Sequence, residues 1–377
     1  MKRIEVHLIQ NVAPANLNRD DTGSPKDAIF GGYRRARLSS QSQKRAVRLA
    51  FRELLPEEDR AVRTRKLLDR LADSLVRAGK TPDEAAAVAR VALEGLGLGY
   101  KGTESEYLLF LGNREVENIA ETILEHWEAL APLAQGGKER RGKGKVKLPD
   151  PVKKAFEALF DGGKAVDLAL FGRMLADRAE WNVDAAAQVA HAISTHKVER
   201  EFDFYTAVDD LNPKEETGAG MMGDVEFYSA TFYRYAQVDL AKLAENLQGD
   251  ADLAARGVEA FLRAFVSTLP SGKQNSFAAH NPPDLVQISL SGGAPRNLAN
   301  AFAKPVWAGR EIDLISASVR ALDEYAGKLN KAYGDHAQLA VVLNLTDYPT
   351  KHLGRRVESF EELLGAIMPG VRSALGG

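Results

Sequence analysis

Residues 26–53 read KDAIFGGYRRARLSSQSQKRAVRLAFRE, and the fold turns on how this stretch is parsed. AIFGGYRRARL has the composition of an extended segment broken by a glycine pair. SSQS then opens a helix that Ser39 or Ser40 can cap, with Ala46, Val47, Ala50, Phe51 and Leu54 lining one face. The same stretch holds Lys26, Arg34, Arg35, Arg37, Lys44, Arg45, Arg48 and Arg52, with only Asp27 opposing them before Glu53. Lys44, Arg48 and Arg52 stand at i, i+4 and i+8 and share a helix face, a cationic ridge opposite the apolar one. Ser39, Ser40, Gln41 and Ser42 lie at the helix N-terminus, where free N–H groups and the dipole favour an anion. Gly31 and Gly32 would let another backbone approach closely. Together these features describe a phosphate-tracking surface. A merely solvated helix face is the plain alternative, but such faces mix signs, and like charges at i, i+4 repel.

The rest of the chain makes this local charge unusual. The 377 residues carry a formal net charge of −2, with 45% hydrophobic and 27% charged residues. Those are globular values, long enough for one elaborated domain or two ordinary ones. There is no cysteine, which excludes disulfides, thiolate catalysis and cysteine zinc sites. No apolar run approaches the ~20 residues of a membrane span, and MKRIEVHLIQN is too alternating for a signal peptide. A soluble cytoplasmic protein with no membrane partner is expected.

Working outward, RIEVHLIQ alternates Ile4, Val6 and Leu8 against Glu5, His7 and Gln10, the period of a half-buried strand. From about residue 56 to 181 the patterns are helical, with Leu67, Leu71 and Leu75 at four-residue spacing. A basic low-complexity stretch, GGKERRGKGKVKLPDP, interrupts them and reads as a loop. EFDFYTAVDDL and VEFYSATFYRYAQVDL flank a Gly-rich connector and read as a long hairpin. LAKLAENL and DLAARGVEAFLRAFVSTL are helical, PDLVQISLSGG and HAQLAVVLNLT strand-like, and helices at IDLISASVRALDEYAGKLNKAYG and SFEELLGAIMPGVRSAL complete the chain. Strand and helix alternate at both ends around a helical insertion, so the fold class is α+β.

Three chemistries compete. Phe204, Tyr205 and Thr206 at the base of the hairpin can stack on bases, or simply pack within a strand. Met174 alone reads as a core methionine. Asp20–Asp21 and Asp209–Asp210 are carboxylate pairs that could hold Mg²⁺ for phosphodiester cleavage, a metal-dependent ribonuclease, or could cap turns and pair with Arg19. His191 and His196, five apart, give no ligand spacing, and no hydrolase or P-loop motif occurs. Neither catalysis, nor a metal, nor a cofactor is expected. An interaction module without nucleic acid is the third reading.

LNRDD, KDAIFGG, RRARLSSQSQKR, HAISTH, FYTAVDDL and FYRYA occur in this order. The ordered set resembles the backbone subunit of the type I-E CRISPR surveillance complex, Cascade, of the CasC type. The resemblance runs from the first strand to the last helix and is densest in residues 16–50 and 188–240. It implies an RNA-recognition-motif-like (ferredoxin-like) palm over residues 1–55, 182–198 and 227–377. A helical fingers insertion would span 56–181 and a hairpin thumb 199–226. It implies copies stacked along one CRISPR RNA as a helical filament, presenting the guide for pairing with target DNA. Further partners would be the large, small, guide-processing and 5'-end-capping Cascade subunits.

Residue by residue, the resemblance implies guide-phosphate contacts at Arg19, Lys26, Arg34, Ser39, Gln41, Lys44 and Arg48. It implies a thumb wedge at a flipped base from Phe204, Tyr205 and Thr206, with Met174 touching bases beside the kink. This chain has Phe-Tyr-Thr where the family pattern has a Trp-Phe-Thr type of wedge; the smaller first aromatic should still fill the gap. Lys273 and Gln274 are further guide-contact candidates. The basic loop with Lys138, Arg140, Arg141, Lys143, Lys145 and Lys147 suits duplex DNA by its charge.

Overall fold

A computed structural model describes residues 2–135, 146–175, 178–207, 221–334 and 337–376. The chain begins with β1 (Arg3–Ala15), the pair β2 (Asp27–Phe30) and β3 (Tyr33–Leu38), and α1 (Ser40–Leu54). Then come β4 (Ala61–Thr64), α2 (Leu67–Arg77), α3 (Pro82–Gly95), β5 (Tyr100–Lys101), β6 (Glu104–Ser105) and β7 (Leu109–Gly112). α4 (Asn113–Glu125), α5 (Trp127–Gln135), α6 (Asp150–Glu157) and α7 (Val166–Phe171) follow. β8 (Ala187–Val189), β9 (Ala192–Ser194), β10 (Glu201–Ala207) and β11 (Met221–Asp239) return the chain to strand. It ends with α8 (Leu240–Asn246), α9 (Ala251–Ser267), α10 (Gln274–Phe277), β12 (Leu285–Ser291), α11 (Leu314–Tyr333), β13 (Ala337–Asn344), β14 (Arg355–Val357) and α12 (Phe360–Leu375). The class is α+β. Two compact units emerge, one of Met1–Ala50, Ala187–Ala241 and Val258–Gly377, the other of Phe51–Ala186 and Lys242–Gly257.

The first unit is organised on a mixed sheet, ten-stranded among the described residues, in the order β14-β13-β12-β1-β11-β9-β3-β2, with β8 and β10 also pairing β11. β1 is central, antiparallel to β11 and β12. The expectation of a half-buried β1 is corrected. Glu5, His7 and Gln10 are as buried as Ile4, Val6 and Leu8. Burying them costs free energy unless each finds a partner. Glu5 accepts from Tyr235 Oη and Ser291 Oγ, both at 2.8 Å. Gln10 Oε1 accepts from Arg234 Nη1 at 2.7 Å. Arg234 is itself fully buried, and desolvation brings its pKa down to about 9. α11 covers the face carrying Ile9, Tyr233 and Leu285. α12 lies against β12 and β13.

The second unit has its own core. Leu67, Leu71 and Leu75 of α2 are fully buried there, with Ile119 and Ile123 of α4, each worth ~1.5–3 kcal/mol of apolar transfer. Beside the expected helices, this unit carries two short ribbons, β4–β7 and β5–β6. LFLG is too short and too evenly apolar for periodicity to separate strand from helix. Among the described residues no helix is long and apolar enough to cross a membrane.

Candidate nucleic-acid interface

The basic run is divided by the strand that carries part of it. β2 and β3 pair with Phe30 opposite Tyr33, so Gly31–Gly32 is a two-residue loop, and both glycines have positive φ, 59° and 84°. The backbone that approaches Gly31 is the protein's own: a Cβ there would lie 1.8 Å from the Ala303 carbonyl oxygen. Along β3 successive side chains alternate faces. Arg34 points out and pairs with Asp27. Arg35 is fully buried, donating to the carbonyls of Ser194 (3.1 Å), Thr195 (2.9 Å) and Phe302 (2.7 Å). Desolvation lowers its pKa. Arg35 is therefore a fold residue.

Of the remaining cations, Lys26, Arg37, Lys44 and Arg48 lie along the loop and helix of the first unit, whereas Arg52 falls in the second. Lys26 N–H donates to the Asn18 carbonyl at 2.8 Å and Arg37 N–H to the Lys26 carbonyl at 2.9 Å. Asn18 Oδ1 accepts from Ser39 N–H at 2.7 Å. Residues 18–26 are thereby folded back onto the start of α1, which brings exposed Arg19 and half-buried Lys26 beside the helix N-terminus. Arg37 lies 3.2 Å from His191 Nδ1. Burial, together with the charges of Arg37 and Lys26, holds the His191 imidazole below its ordinary pKa. Gly272 N–H donates to the Leu17 carbonyl, 3.2 Å, which sets Lys273 beside the same loop.

α1 starts where its sequence indicates. Ser39 Oγ accepts from Ser42 N–H at 3.2 Å, and the Ser39 side chain is buried, so this hydroxyl is a cap, while Gln41 is exposed. The line turned inward is Gln43, Val47 and Phe51, and Leu54 is 38% exposed rather than core. Gln43 bonds the Ala190 carbonyl (3.0 Å) and Arg234 Nε (3.2 Å). Each residue along a helix is displaced by about 100°. The ridge of Lys44 and Arg48 therefore flanks the buried line instead of opposing it, and both are half-buried. Burial lowers the Lys44 pKa. Gln274, by contrast, spends its amide on Ala279, accepting from its N–H at 2.8 Å and donating to its carbonyl at 3.1 Å.

The hairpin rises from this surface. β10 and β11 pair with Phe202 opposite Glu226, Phe204 opposite Asp224 and Tyr205 opposite Gly223. Phe202 and Phe204 share one face, 64% and 66% exposed. Tyr205 takes the other face and lies over Gly223, where a Cβ would be 2.5 Å from its Oη. Thr206 is in β10 opposite Met222. Around these aromatics stand Glu201, Asp203, Asp224 and Glu226, with no cation in either described strand segment of the ribbon, 201–207 and 221–227.

An ion-pair chain ties the hairpin to the basic loop. Arg200 bonds Asp27 at 3.1 Å and Glu226 at 3.0 Å, and Asp27 also holds Arg34. Burial alone would raise the Asp27 pKa, but the Arg200 and Arg34 hydrogen bonds outweigh it and the net shift is downward. Buried Asn16 adds a second tie, donating to the carbonyls of Gly23 (3.0 Å) and Glu226 (2.9 Å). Sequence reasoning missed Asn16, Arg200 and Phe202.

In the second unit, Met174 is 88% exposed, not the core methionine its isolated position suggests. Its neighbour Arg173 is anchored in a buried pair with Glu115 at 3.0 Å. Lys147 is exposed; Lys138, Arg140, Arg141, Lys143 and Lys145 lie outside the described residues, as do Asp209 and Asp210. Asp20 turns inward on its own loop, accepting from Thr22 N–H (2.9 Å), Thr22 Oγ1 (2.7 Å) and Ser24 N–H (3.0 Å). The Thr22 hydroxyl is the main reason its pKa is lowered. Among the described residues no group of three His, Asp or Glu side chains is placed to hold a metal.

The chain as a whole has known relatives. A chain described as part of a CRISPR RNA-guided surveillance complex, pre-nicking, is 36% identical with a TM-score of 0.86, the match covering 98% of this chain and 100% of that one. A chain of another CRISPR RNA-guided surveillance complex is 31% identical with a TM-score of 0.75, covering 98% and 99%. No curated protein matches at a significant level. The model of the CT1975-like protein family matches residues 4–366, and the chain belongs to that family.

Proposed function

We propose that this protein is the non-catalytic backbone subunit of a CRISPR RNA-guided surveillance complex, of the type I-E Cascade kind, and that copies of it line up along one guide RNA. The observation that carries the reading is the junction of a cationic loop–helix surface with an aromatic hairpin, in a chain similar over nearly its whole length to chains of such complexes. The first unit serves as the palm, of the RNA-recognition-motif kind, and the second as the fingers. Arg19, Lys26, Lys44 and Arg48 track guide phosphates, with Gln41 at the helix start and Lys273 at the flank. Ser39 acts by shaping the helix N-terminus and Arg34 by holding Asp27.

The hairpin does different work. A ribbon carrying Glu201, Asp203, Asp224 and Glu226 repels phosphates, so its contact with RNA is through base faces, not backbone. Phe204, backed by Phe202, is the wedge at a displaced base, and Tyr205 stiffens the ribbon over Gly223. The same acidity suits the hairpin to the basic surface of the next copy. Met174 adds a base contact, and Lys147 with the basic loop beside it meets target DNA. Guide, target DNA, further copies and the other complex subunits are the partners, in the cytoplasm.

Co-expression with a CRISPR array and neighbouring genes tests the reading. Discrete repeat–spacer RNA of uniform length in a large assembly is expected. A nucleic-acid-free monomer recovered with its partners present overturns it.

A further inference from the structure

The face of the central strands beneath α11 is polar where a core would be apolar. His7 and Gln287 face each other across β1 and β12, with Ser289 one side-chain position along the same face. All three are more than nine-tenths buried. His7 bonds Tyr233 Oη through Nδ1 at 2.9 Å. Among the described residues the Gln287 amide and the Ser289 hydroxyl have no hydrogen-bond partner. Their polar atoms are not sealed from solvent; they open onto a cavity. Aliphatic side chains would pack here, as Ile9 and Leu285 do on the same face. His7 is tied into the core through Tyr233, whereas the Gln287 and Ser289 side chains make no such bond among the described residues.

They line a cavity of about 370 Å³, at the lower end of the ~300–1,000 Å³ range of small-molecule sites. Lys351 and His352 stand at its mouth, exposed. Their backbone amides donate to the Asp323 carboxylate at 3.0 and 2.7 Å, which fixes the segment and leaves both side chains without partners among the described residues. Arg296 closes another side, donating to Asn330 Oδ1 (3.1 Å) and the Gly334 carbonyl (2.9 Å). Leu298, Leu329 and Leu353 supply apolar wall, and no carboxylate is among the lining residues. Two permanent cations, two imidazoles, unpartnered amide and hydroxyl groups and an apolar wall match an anion with a polar, partly flat body.

We propose that this cavity binds a small phosphate ester of about mononucleotide size, its phosphate at the Lys351–His352 mouth and its polar edge on Gln287 and Ser289. The site shares no residue with the guide surface, and the proposal does not rest on the guide-binding reading.

The test is calorimetric titration of AMP, GMP, CMP, UMP and inorganic phosphate into the full chain, guide-free and guide-loaded. At least one mononucleotide should bind both preparations one-to-one, and ~10-fold more weakly in Lys351→Ala and in Gln287→Leu. Lys351 is exposed, so its variant keeps the test intact if the buried substitution impairs folding. Four results overturn the proposal. They are no mononucleotide binding at millimolar concentration, binding confined to the guide-free chain, binding indifferent to Lys351→Ala, or inorganic phosphate binding as tightly as every mononucleotide.

Discussion

The loop–helix surface and the β10–β11 ribbon belong to one unit and are joined through Arg200 and Asn16, yet they carry opposite charge. Residues 17–48 present Arg19, Lys26, Arg37, Lys44, Arg45 and Arg48, while the described ribbon presents four acids and two exposed phenylalanines. A polyanion cannot be held by both through its backbone. On the proposed reading, the difference separates two kinds of contact on one RNA, charge for the phosphates and flat apolar surface for the bases.

The sharpest break is expected within β3, where neighbouring arginines do unrelated work. Arg35→Ala removes the donor from the buried Ser194, Thr195 and Phe302 carbonyls, of which Thr195 keeps the Val306 N–H, and should cost ~3 kcal/mol of stability, read by urea unfolding. Arg34→Ala, at an exposed ion pair, should cost less than ~1 kcal/mol. Equal losses would erase the distinction between fold cation and surface cation. Asp27→Ala comes next. It unlinks Arg34 and Arg200, and a loss of about 1–2 kcal/mol should accompany faster amide exchange in residues 201–207 than in β1. Unchanged exchange there would mean that the ion-pair chain does not hold the hairpin.

Reversing the ribbon's charge sharpens the comparison. Asp224→Lys should add one phosphate contact and steepen the salt dependence of RNA binding by ~0.7 in the log–log slope; a slope that stays flat would show that the ribbon never nears the backbone. The smallest effect is in pH. His191 and His196 are held below their ordinary pKa, chiefly by burial. The unfolded chain therefore binds more protons than the folded one as pH falls through about 6.5. Stability should be level above that pH and decline shallowly below it, until carboxylates with lowered pKa values, Asp20 and Asp27 among them, begin to protonate near the bottom of the acid range. Bound phosphates beside His191 should reverse its shift, so guide binding at pH 6 should take up protons, visible as buffer-dependent binding heat.

The helix after SSQS was legible because a serine cap and an apolar spacing agree on it. The proposed wedge was legible only in part. In a strand, adjacent residues face opposite ways, so Phe204 and Tyr205 cannot act side by side. The i, i+2 pair Phe202 and Phe204 was present in EFDFYT and needed only that rule. Which face of β3 turns inward was not legible, because Arg34 and Arg35 are equivalent until Ser194, Thr195 and Phe302, remote in sequence, supply carbonyls to one of them. β1 misled for a related reason. Its polar alternation signals water unless the partners, Tyr235, Ser291 and Arg234, are known, and all lie more than two hundred residues away. Met174 was unreadable from local pattern because only its neighbour Arg173 turns inward, onto Glu115, a partner remote in sequence.

The most direct test of the division between backbone and base contacts is the salt dependence of guide-RNA affinity in two double variants, Lys44→Ala/Arg48→Ala and Phe202→Ala/Phe204→Ala. The first should flatten the log–log slope by ~1.4, two phosphates at ~0.7 each. The second should weaken binding by ~1–3 kcal/mol for a lost stacked base at every salt concentration, with the slope unchanged. Equal slopes in both variants, or a slope altered by the phenylalanines and not by the cations, would contradict it.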